Sequence, residues 1–348
     1  MKHALFGAAL AMTLPAPAAA FTLIEGTKDF TVEALLAHDG VVFLATQDDG
    51  IQTMGLDGKN VKQGLALRGY CVESDGTKVY ACTDDGVHMT ADKGATWSRL
   101  GNFPKSEAVY SLAAQGETLF AGTYDGLYVS RDGGAKWALT GANLNTDVTE
   151  AVAVSGDLVY AGANTGGFYK NGRLLRSEDA GKTWKAVTWD GGGEVLDIRF
   201  TGSYLHVATT SGYRFSADKG TTWTHSPAQW AVYSAKPFFD PSLDASDGAV
   251  FYSVDEQGYI SQDNGLTWST LKDVGLFGAS AWLKSGNTLW AGTGNGVFMG
   301  QLAESIPVRP QARAAKGRAA PMVRSGLAGM EGNWVGMDGR AHAAPIQR

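Results

Sequence analysis

The feature that most constrains the fold is a pair of glycines ten positions apart, which recurs seven times along the chain. The pairs are Gly40/Gly50, Gly76/Gly86, Gly116/Gly126, Gly156/Gly166, Gly202/Gly212, Gly248/Gly258 and Gly286/Gly296. Successive first glycines are 36, 40, 40, 46, 46 and 38 residues apart, which is the length of one four-stranded propeller blade. The sequence therefore predicts an all-β protein, a seven-bladed β-propeller of four-stranded antiparallel blades.

A second motif, Ser/Thr-x-Asp-x-Gly-x-x-Trp, follows five of the seven pairs. Its hydroxyl and carboxylate can bond backbone amides of their own turn, and its glycine can take the left-handed conformation. The tryptophan then returns into the sheet and buries a large apolar face. We therefore expect a structural role for the aspartate and tryptophan of each copy, namely Asp92, Trp97, Asp132, Trp137, Asp179, Trp184, Asp218, Trp223, Asp263 and Trp268.

Each copy also predicts tight turns between short strands. In the third copy the strands are expected at 110–114, 118–121, 127–129 and 137–139. Asp-Gly pairs at 49/50, 85/86 and 125/126 favour two-residue hairpin loops, because both residues tolerate positive φ. No segment shows helical periodicity.

These boxes resemble the bacterial neuraminidase-type repeat, or Asp-box, found in sialidases, sortilin-like receptors, xyloglucanases and photosystem II assembly factors. The resemblance covers residues 21–302 and is most similar to the photosystem II stability/assembly factor family, with sialidases more distant. It implies a single propeller that assists assembly of membrane proteins without catalysis, through a basic patch on the ring. It also implies that the boxes lie away from the active face.

The two ends of the chain differ from the repeats. Residues 1–20 read as a signal peptide, with a basic start, an apolar run and an Ala18-Ala19-Ala20 cleavage site, which predicts a periplasmic or secreted protein. Residues 21–25 are similar to the strands that follow the boxes, so we expect them to supply the outer strand of the last blade. Residues 303–348 form a basic tail rich in Ala, Gly, Pro and Arg, and we expect it to be mostly disordered.

The net charge of each part of the chain restricts the classes of partner that it can bind. Residues 21–302 carry 21 Lys and Arg against 32 Asp and Glu, a net charge of −11, whereas residues 303–348 carry +4. An acidic ring is unsuited to nucleic acid, which requires a basic face. The tail could dock peripherally on an anionic membrane or on a partner, although a plain solvated end is the favoured interpretation. A closed ring needs no second subunit, so we expect a monomer.

Cys71 and Cys82 are the only cysteines. Ungapped alignment of the repeats places them on adjacent antiparallel strands, at separations that a disulfide can span. In an oxidising compartment a structural disulfide is favoured over free thiols.

The sequence contains no catalytic set, metal site or cofactor motif. The six histidines are scattered, and Gly292-x-Gly294-x-Gly296 lacks the helix that a dinucleotide site requires. Sialidases use an early Arg-Ile-Pro motif, whereas the first arginine here is Arg68 in Leu67-Arg68-Gly69. Xyloglucanases enclose their groove with two propellers. Catalysis is therefore not the favoured function, and a glycoside hydrolase or lectin remains the alternative.

Loops between the second and third strands, together with the connections between blades, form the usual ligand face of a propeller. Asp49, Asp85 and Asp125 are explained as turn formers. The candidate partner-binding rim consists of Asp48, Asp84, Tyr124, Asp255, Glu256, Trp189, Trp230 and Tyr233. Acidic and aromatic side chains together suit a basic or extended polypeptide, and a sugar stacked on Trp230 or one loosely bound cation would also fit. We expect an exported scaffold that binds a protein partner, for example during assembly of an envelope complex.

Overall fold

The computed structural model of the protein describes residues 21–101, 103, 107–141, 147–165, 172–189, 192–225, 250–254, 257–271 and 279–302. These residues form a short N-terminal strand, one 3-10 turn (Glu25–Thr27) and 26 further strands. All strand pairing is antiparallel. The predicted signal peptide and the predicted tail lie outside the described residues.

The strands are numbered in chain order and grouped here as sheets 1 to 7. The N-terminal strand is β1 (Thr22–Leu23). Sheets 1 to 3 contain β2 (Val32–His38), β3 (Val41–Thr46), β4 (Ile51–Gly55) and β5 (Lys62–Leu65); β6 (Gly69–Ser74), β7 (Val79–Thr83), β8 (Gly86–Thr90) and β9 (Ser98–Arg99); and β10 (Val109–Gln115), β11 (Thr118–Thr123), β12 (Gly126–Ser130) and β13 (Ala138–Leu139).

Sheets 4 to 7 follow the same order. They contain β14 (Asp147–Ser155), β15 (Leu158–Thr165), β16 (Gly172–Ser177) and β17 (Lys185–Ala186); β18 (Val195–Thr201), β19 (Tyr204–Thr209), β20 (Gly212–Ser216) and β21 (Thr224–His225); β22 (Val250–Val254), β23 (Gln257–Ser261) and β24 (Ser269–Leu271); and β25 (Ala281–Ser285), β26 (Thr288–Thr293) and β27 (Gly296–Gln301).

The sheets pack face to face around a central channel, as blades of a propeller do. The first strands of neighbouring sheets lie side by side, from β25 through β2, β6, β10 and β14 to β18. The second strand of each four-stranded sheet is buried on both faces because it lies between two neighbouring sheets, and its second or third residue is usually an aromatic ring such as Phe43 or Phe120. Hydrophobic clusters accordingly bridge consecutive sheets instead of forming one central core.

The number of complete blades differs from the prediction. Six sheets have four strands, whereas sheet 6 contributes three strands within the described residues. The sequence predicted seven four-stranded blades. The three described strands of sheet 6 correspond to the second, third and outer strands of the other sheets, because β24 follows the Asp-box and pairs with β23, which in turn pairs with β22.

The N-terminus completes the sheet formed by the last three strands, as predicted. Thr22 pairs with Met299 and Leu23 with Phe298, so that β1 is the outer strand beside β27. The amide of Ile24 donates to the carbonyl of Val297 at 2.8 Å. The Ile24 side chain is buried, and Phe21 packs edge-on against Trp282 at 6.2 Å. The two ends of the ring are therefore joined by both backbone pairing and apolar contact.

The predicted disulfide is confirmed. Cys71 of β6 lies directly opposite Cys82 of β7, with the two Cα atoms 4.9 Å apart, and the two side chains form a disulfide. The pair occupies the register position that Ser111 and Gly122 hold in sheet 3. Within the described part of the chain, no helix is long and apolar enough to cross a membrane.

Candidate functional site

The ring has two different ends. At one end, which we call the box end, the Asp-box turns lie beside the hairpins between first and second strands: the amide of Ala180 donates to Asp157 O at 2.8 Å, and that of Gly133 to Glu117 O at 2.9 Å. At the other end, the hairpins between second and third strands lie beside the connections between sheets. There the amide of Thr210 donates to Glu194 O at 3.0 Å. We call this second end the mouth end.

Each Asp-box turn is closed by the same set of hydrogen bonds. In the fourth sheet, the Ser177 hydroxyl donates to Asp179 at 2.8 Å and accepts the amide of Gly181 at 2.8 Å. Asp179 accepts both the amide and the hydroxyl of Thr183, at 2.8 and 2.6 Å. The boxes of sheets 2, 5 and 6 repeat these four bonds, and sheet 3 lacks only the threonine hydroxyl because Lys136 replaces it.

In the boxes of sheets 2 to 5, these bonds favour the charged form of the aspartate. Hydrogen bonds from Thr96 lower the pKa of Asp92 to about 2, and the amide of Thr222 is the main cause that lowers the pKa of Asp218 to about 2. A carboxylate that is saturated by donors of its own turn has no proton to offer at neutral pH. The boxes are therefore poor candidates for general acid chemistry.

The box glycines also join neighbouring sheets. A side chain at Gly220 would overlap the ring of Tyr160, and the Tyr160 hydroxyl donates to the carbonyl of Lys219 at 2.6 Å. Gly181 lies against Phe120 and Gly265 against Tyr213 in the same way. Each of these rings belongs to the preceding sheet. The box is thus an interlock between sheets as well as a turn.

The hairpins at the mouth end are fixed by a threonine that was not among the predicted functional or structural residues. Thr83, at the end of β7, donates to the carbonyl of Gly86 at 2.9 Å and accepts the amide of Asp85 at 3.1 Å. Equivalent donor bonds are made by Thr46, Thr123, Thr209 and Thr293. The sequence contains a pattern that indicates this threonine, because a threonine precedes the second glycine of the pair by three or four residues in these copies.

Positive φ at both residues, expected of the Asp-Gly turns, occurs at only one of them. Gly50, Gly86 and Gly126 take positive φ, but Asp49, Asp85 and Asp125 do not. Because the threonine bonds set the turn, the residue two places before the glycine is free to differ between sheets. That residue is Asp48, Asp84 or Tyr124 in sheets 1 to 3.

The predicted rim residues have different environments. Asp48 and Asp84 are exposed, and Tyr124 is 66 % exposed, which is unusual for a ring of that size. Trp189 is half-buried and packs against Trp223, with ring centroids 5.2 Å apart, so most of its ring is used in packing. The remaining predicted rim residues, Asp255, Glu256, Trp230 and Tyr233, lie outside the described residues.

The structure adds a group of side chains inside the channel. The pairing of the first and second strands skips one residue in each of sheets 1 to 5, which is a β-bulge. The skipped residues line one cavity at the mouth end, and they are Glu33, Tyr70, Tyr110, Glu150 and Leu196. The cavity has a volume of about 60 Å³. The sequence contains one indication of this layer. In sheets 2 to 5 the bulged residue always lies six places before the first glycine of the pair, at Tyr70, Tyr110, Glu150 and Leu196.

Polar and aromatic contacts fix these side chains. Gln47 donates to Glu33, and Asn164 donates to Glu150 at 2.9 Å, so that residues of the mouth-end hairpins hold both carboxylates. The rings of Tyr70 and Tyr110 pack edge to face with centroids 5.1 Å apart. Burial is the main cause that raises the pKa of Tyr110, with Tyr70 and Glu150 adding to it, so the phenol stays neutral.

An ion pair crosses the channel below this layer. Arg199 of β18 bonds to Glu73 of β6, and to Asp197 of its own strand at 3.3 Å. Strands β10 and β14 separate β6 from β18 around the ring, so the Arg199–Glu73 pair spans the channel. Burial alone would lower the pKa of Arg199, but the two carboxylates outweigh it and raise that pKa. Burial raises the pKa of Glu73 despite the nearby guanidinium.

The described residues contain no group of three or more His, Cys, Asp and Glu side chains placed to hold a metal ion. Both carboxylates deepest in the cavity, Glu73 and Asp197, bond to the Arg199 guanidinium. The arrangement can therefore bind charged or aromatic groups at the mouth end, and the described part of the cavity offers no acid and base pair poised for proton transfer.

Comparison with known proteins agrees with an Asp-box propeller. Residues 65–170 match the model of the DUF6242 beta propeller domain, and residues 259–270 match that of the BNR/Asp-box repeat. No curated protein sequence matches the chain.

Solved structures resemble the fold at low sequence identity. YCF48 from Cyanidioschyzon merolae is 15 % identical with a TM-score of 0.60, over 82 % of this chain and 100 % of that one. A structure of YCF48 bound to D1 peptide is 16 % identical with a TM-score of 0.59, over 84 % of this chain and 100 % of that one. The Niastella koreensis GH74 enzyme is 18 % identical with a TM-score of 0.62, over 80 % of this chain and 53 % of that one. At such identities the likeness shows the fold alone: an all-β, BNR-type propeller of four-stranded antiparallel blades.

Proposed function

We propose that the protein is an exported, non-enzymatic propeller scaffold that binds a protein partner at its mouth end. The observation that carries the proposal is convergence: the exposed rim residues Asp48, Asp84 and Tyr124 lie at the same end of the ring as the cavity residues Tyr110 and Glu150. Acidic and aromatic side chains on one concave face are the composition expected of a protein-binding surface.

The fold supports this proposal through its relatives. One YCF48 structure that resembles this chain is bound to D1 peptide, so a single propeller of this kind can hold a polypeptide. The GH74 enzymes resemble the chain as well, but this chain spans only about half of the Niastella koreensis enzyme. We propose assistance in assembling an envelope complex as the biological setting.

Two structural points belong to the same proposal. Sheet 6, of which three strands are described, is the seventh blade of the ring. Residues 1–20 act as a signal peptide and direct the mature chain to the periplasm or beyond, where the Cys71–Cys82 disulfide is stable. The mature protein functions as a monomer.

A pull-down from an envelope extract tests the proposal. The Asp84→Lys variant reverses a mouth-end charge, and Glu117→Lys is its matched control, because Glu117 is exposed in a box-end hairpin. We expect one discrete protein to be retained by wild type and Glu117→Lys, lost by Asp84→Lys, and released as salt rises. Equal retention by all three proteins, or turnover of a glycan by the purified chain, would reject the proposal.

A further inference from the structure

The Cys71–Cys82 disulfide lies at the mouth end of sheet 2, next to two elements of the proposed binding face. Cys71 directly follows Tyr70, the bulged residue that lines the cavity. Cys82 directly precedes Thr83, which fixes the hairpin that carries Asp84. Because the two cysteines lie opposite each other, the disulfide joins the bulge of β6 to the hairpin that follows β7.

Smaller residues occupy the same register position in the other sheets. The pairs that correspond to Cys71/Cys82 are Ala34/Ala45, Ser111/Gly122, Ala151/Gly162, Asp197/Ala208 and Ala281/Gly292. The second-strand residue is glycine or alanine in all five pairs, so Cys82 is the largest side chain at this position among the described sheets. These five pairs also show that the strands associate without a disulfide.

The second-strand residue is small because the next sheet packs against it. A methyl group at Gly162 in sheet 4 would lie 2.4 Å from Val195, the residue before the bulge of sheet 5. Val109 holds the equivalent place in sheet 3, beside sheet 2. Cys82 is fully buried and belongs to the same hydrophobic cluster as Val109. Val109 therefore limits the room for the Cys82 sulfur on the side of sheet 3.

Two thiols need more room than one disulfide. Bonded sulfurs lie at a covalent distance, whereas the sulfurs of two thiols stay apart at van der Waals separation. Both cysteines are buried, so the reduced side chains must displace their strands to make that room. The backbone pairs towards the box end, from Val72/Ala81 to Ser74/Val79, do not involve the sulfurs. We therefore expect the displacement at the mouth end of a sheet that otherwise stays folded.

We propose that the Cys71–Cys82 pair is a redox switch for partner binding. The oxidised protein holds the bulge and the hairpin of sheet 2 in their binding form, and the reduced protein stays folded but binds weakly. The inference rests on the proposed function, and it adds the condition under which the mouth end is competent to bind. Binding is then confined to an oxidising compartment.

The chemistry of the switch is thiol–disulfide exchange. Cys71 lines the channel cavity and Cys82 does not, so Cys71 presents the sulfur that an external reagent reaches. Its thiolate attacks a disulfide oxidant, forms a mixed disulfide and releases one reagent thiolate. The Cys82 thiolate then attacks the Cys71 sulfur and expels the second reagent thiolate. The protein gives up two electrons and two protons, the reagent becomes a dithiol, and a dithiol reductant reverses both steps.

Hydrogen–deuterium exchange of the full-length protein, followed by mass spectrometry, tests this inference without a partner. One sample is refolded from urea in air and the other under dithiothreitol, and thiol titration checks each state. We expect peptides that cover 69–72 and 82–86 to exchange at least about tenfold faster in the reduced protein, because the mouth end opens more often. Peptides that cover the Asp-box at 90–97 should exchange equally in both.

The sequence of another sheet supplies the matched control. Cys71→Ala/Cys82→Gly copies the Ala151/Gly162 pair of sheet 4, where the facing residue is also a valine. Its mouth-end peptides should exchange within about twofold of oxidised wild type, with or without dithiothreitol, because no sulfurs crowd the site. Val109→Ala gives the reduced sulfurs space and should cut the difference between the two states to about threefold or less. This single substitution keeps the test valid if the double variant fails to fold.

The envelope-extract pull-down gives the second readout. Reduced wild type should retain at least about fivefold less partner than oxidised wild type, while the Cys71→Ala/Cys82→Gly variant in dithiothreitol controls for effects of the reductant on the extract. Equal exchange in both states, acceleration over the whole chain, or failure of the reduced chain to fold would each overturn the inference.

The two proposals fail in different ways. If capture is equal in both redox states while Asp84→Lys abolishes it, the proposed function stands and the switch is wrong. If exchange differs at the mouth end but no protein is captured in either state, the proposed function is rejected together with the link to binding, and the redox-dependent opening of the mouth end stands.

Discussion

The box end and the mouth end of the ring are built from the same kind of short turn, but they use their side chains differently. At the box end, five copies of one motif bond their serine or threonine and aspartate side chains within their own turn, and four of the five box glycines pack against rings of the preceding sheet. At the mouth end, a threonine and the backbone form the turn, and the residue two places before the glycine varies, being aspartate in sheets 1 and 2 and tyrosine in sheet 3. Repetition of a residue in all copies therefore indicates a role in folding, whereas divergence at an equivalent position indicates a surface free for recognition.

The bulged residues follow the same rule. The backbone irregularity recurs in sheets 1 to 5, but the side chain that it presents is glutamate, tyrosine or leucine. The fold thus keeps the bulge at the same place in sheets 1 to 5, whereas the residue at the bulge differs. Stability should accordingly depend on the box end and on ring closure, and recognition on the mouth end.

The largest loss of stability is expected from removing β1, which supplies the outer strand of sheet 7 where no Asp-box precedes one. Deletion of residues 21–26 from the mature chain removes the pairing with β27 and the buried Ile24 side chain. The loss should be roughly 3–5 kcal/mol, given the apolar area of Phe21, Leu23 and Ile24. Thermal unfolding measured against a chain that begins at Phe21 tests it, and an unchanged melting temperature would show that β1 does not close the ring.

The next effect should come from a box glycine. Gly220→Ala places a methyl group against the Tyr160 hydroxyl at a positive φ of 84°, and the expected cost is about 3 kcal/mol. Gly76→Ala is the matched control, because Gly76 has a φ of 90° but no atom lies within 4 Å of the place that its new methyl group would take. Its cost should be only about 1–2 kcal/mol, from backbone strain alone.

Urea denaturation of the two variants gives the comparison directly. Equal losses would mean that the interlock between box glycine and ring contributes nothing beyond the turn. A larger loss in Gly76→Ala would contradict the view that the box end carries the stability.

The sequence predicted local features better than long-range ones. The turns, the disulfide and the strand β1 were predictable because each depends on residues at fixed spacing, such as Ser177, Asp179 and Gly181 in one box. The bulges were missed because one skipped residue leaves the glycine spacing intact. The Glu73–Arg199 pair was missed because its partners are 126 positions apart and meet only when the ring closes. The candidate rim was predicted from loop position, whereas the cavity that it surrounds was not.

A buried histidine beneath a box should make stability depend on pH. His206 is fully buried, with its ring between Thr201 and Tyr213, and Tyr213 packs on the box glycine Gly265. Burial lowers the pKa of His206 to about 3, below the value of about 6.5 in an unfolded chain. The unfolded chain therefore binds the proton more tightly, and stability falls as pH drops from 6.5 towards 3.

The expected loss is on the order of 2–3 kcal/mol between pH 6.5 and 4.5. Asp92 and Asp218 contribute little in this window, because the stability that depends on their lowered pKa is lost mainly below about pH 4. Urea unfolding at several pH values, with His206→Gln as the non-titrating control, measures the slope. The same slope in the control variant would assign the effect to other groups.

The smallest predicted changes in stability come from replacing one aspartate at each end of the ring, and this pair of variants distinguishes the two ends most directly. Asp218→Ala removes the acceptor of the Thr221 and Thr222 amides, and it should cost about 1–2 kcal/mol because the turn donors lose their partner. Asp84→Ala removes an exposed carboxylate at the mouth end and should change stability by less than about 0.5 kcal/mol. In the partner pull-down the order should reverse, with Asp84→Ala weakening capture and Asp218→Ala leaving it intact. A variant that lowered both stability and capture at either site would show that folding and recognition are not divided between the two ends of the ring.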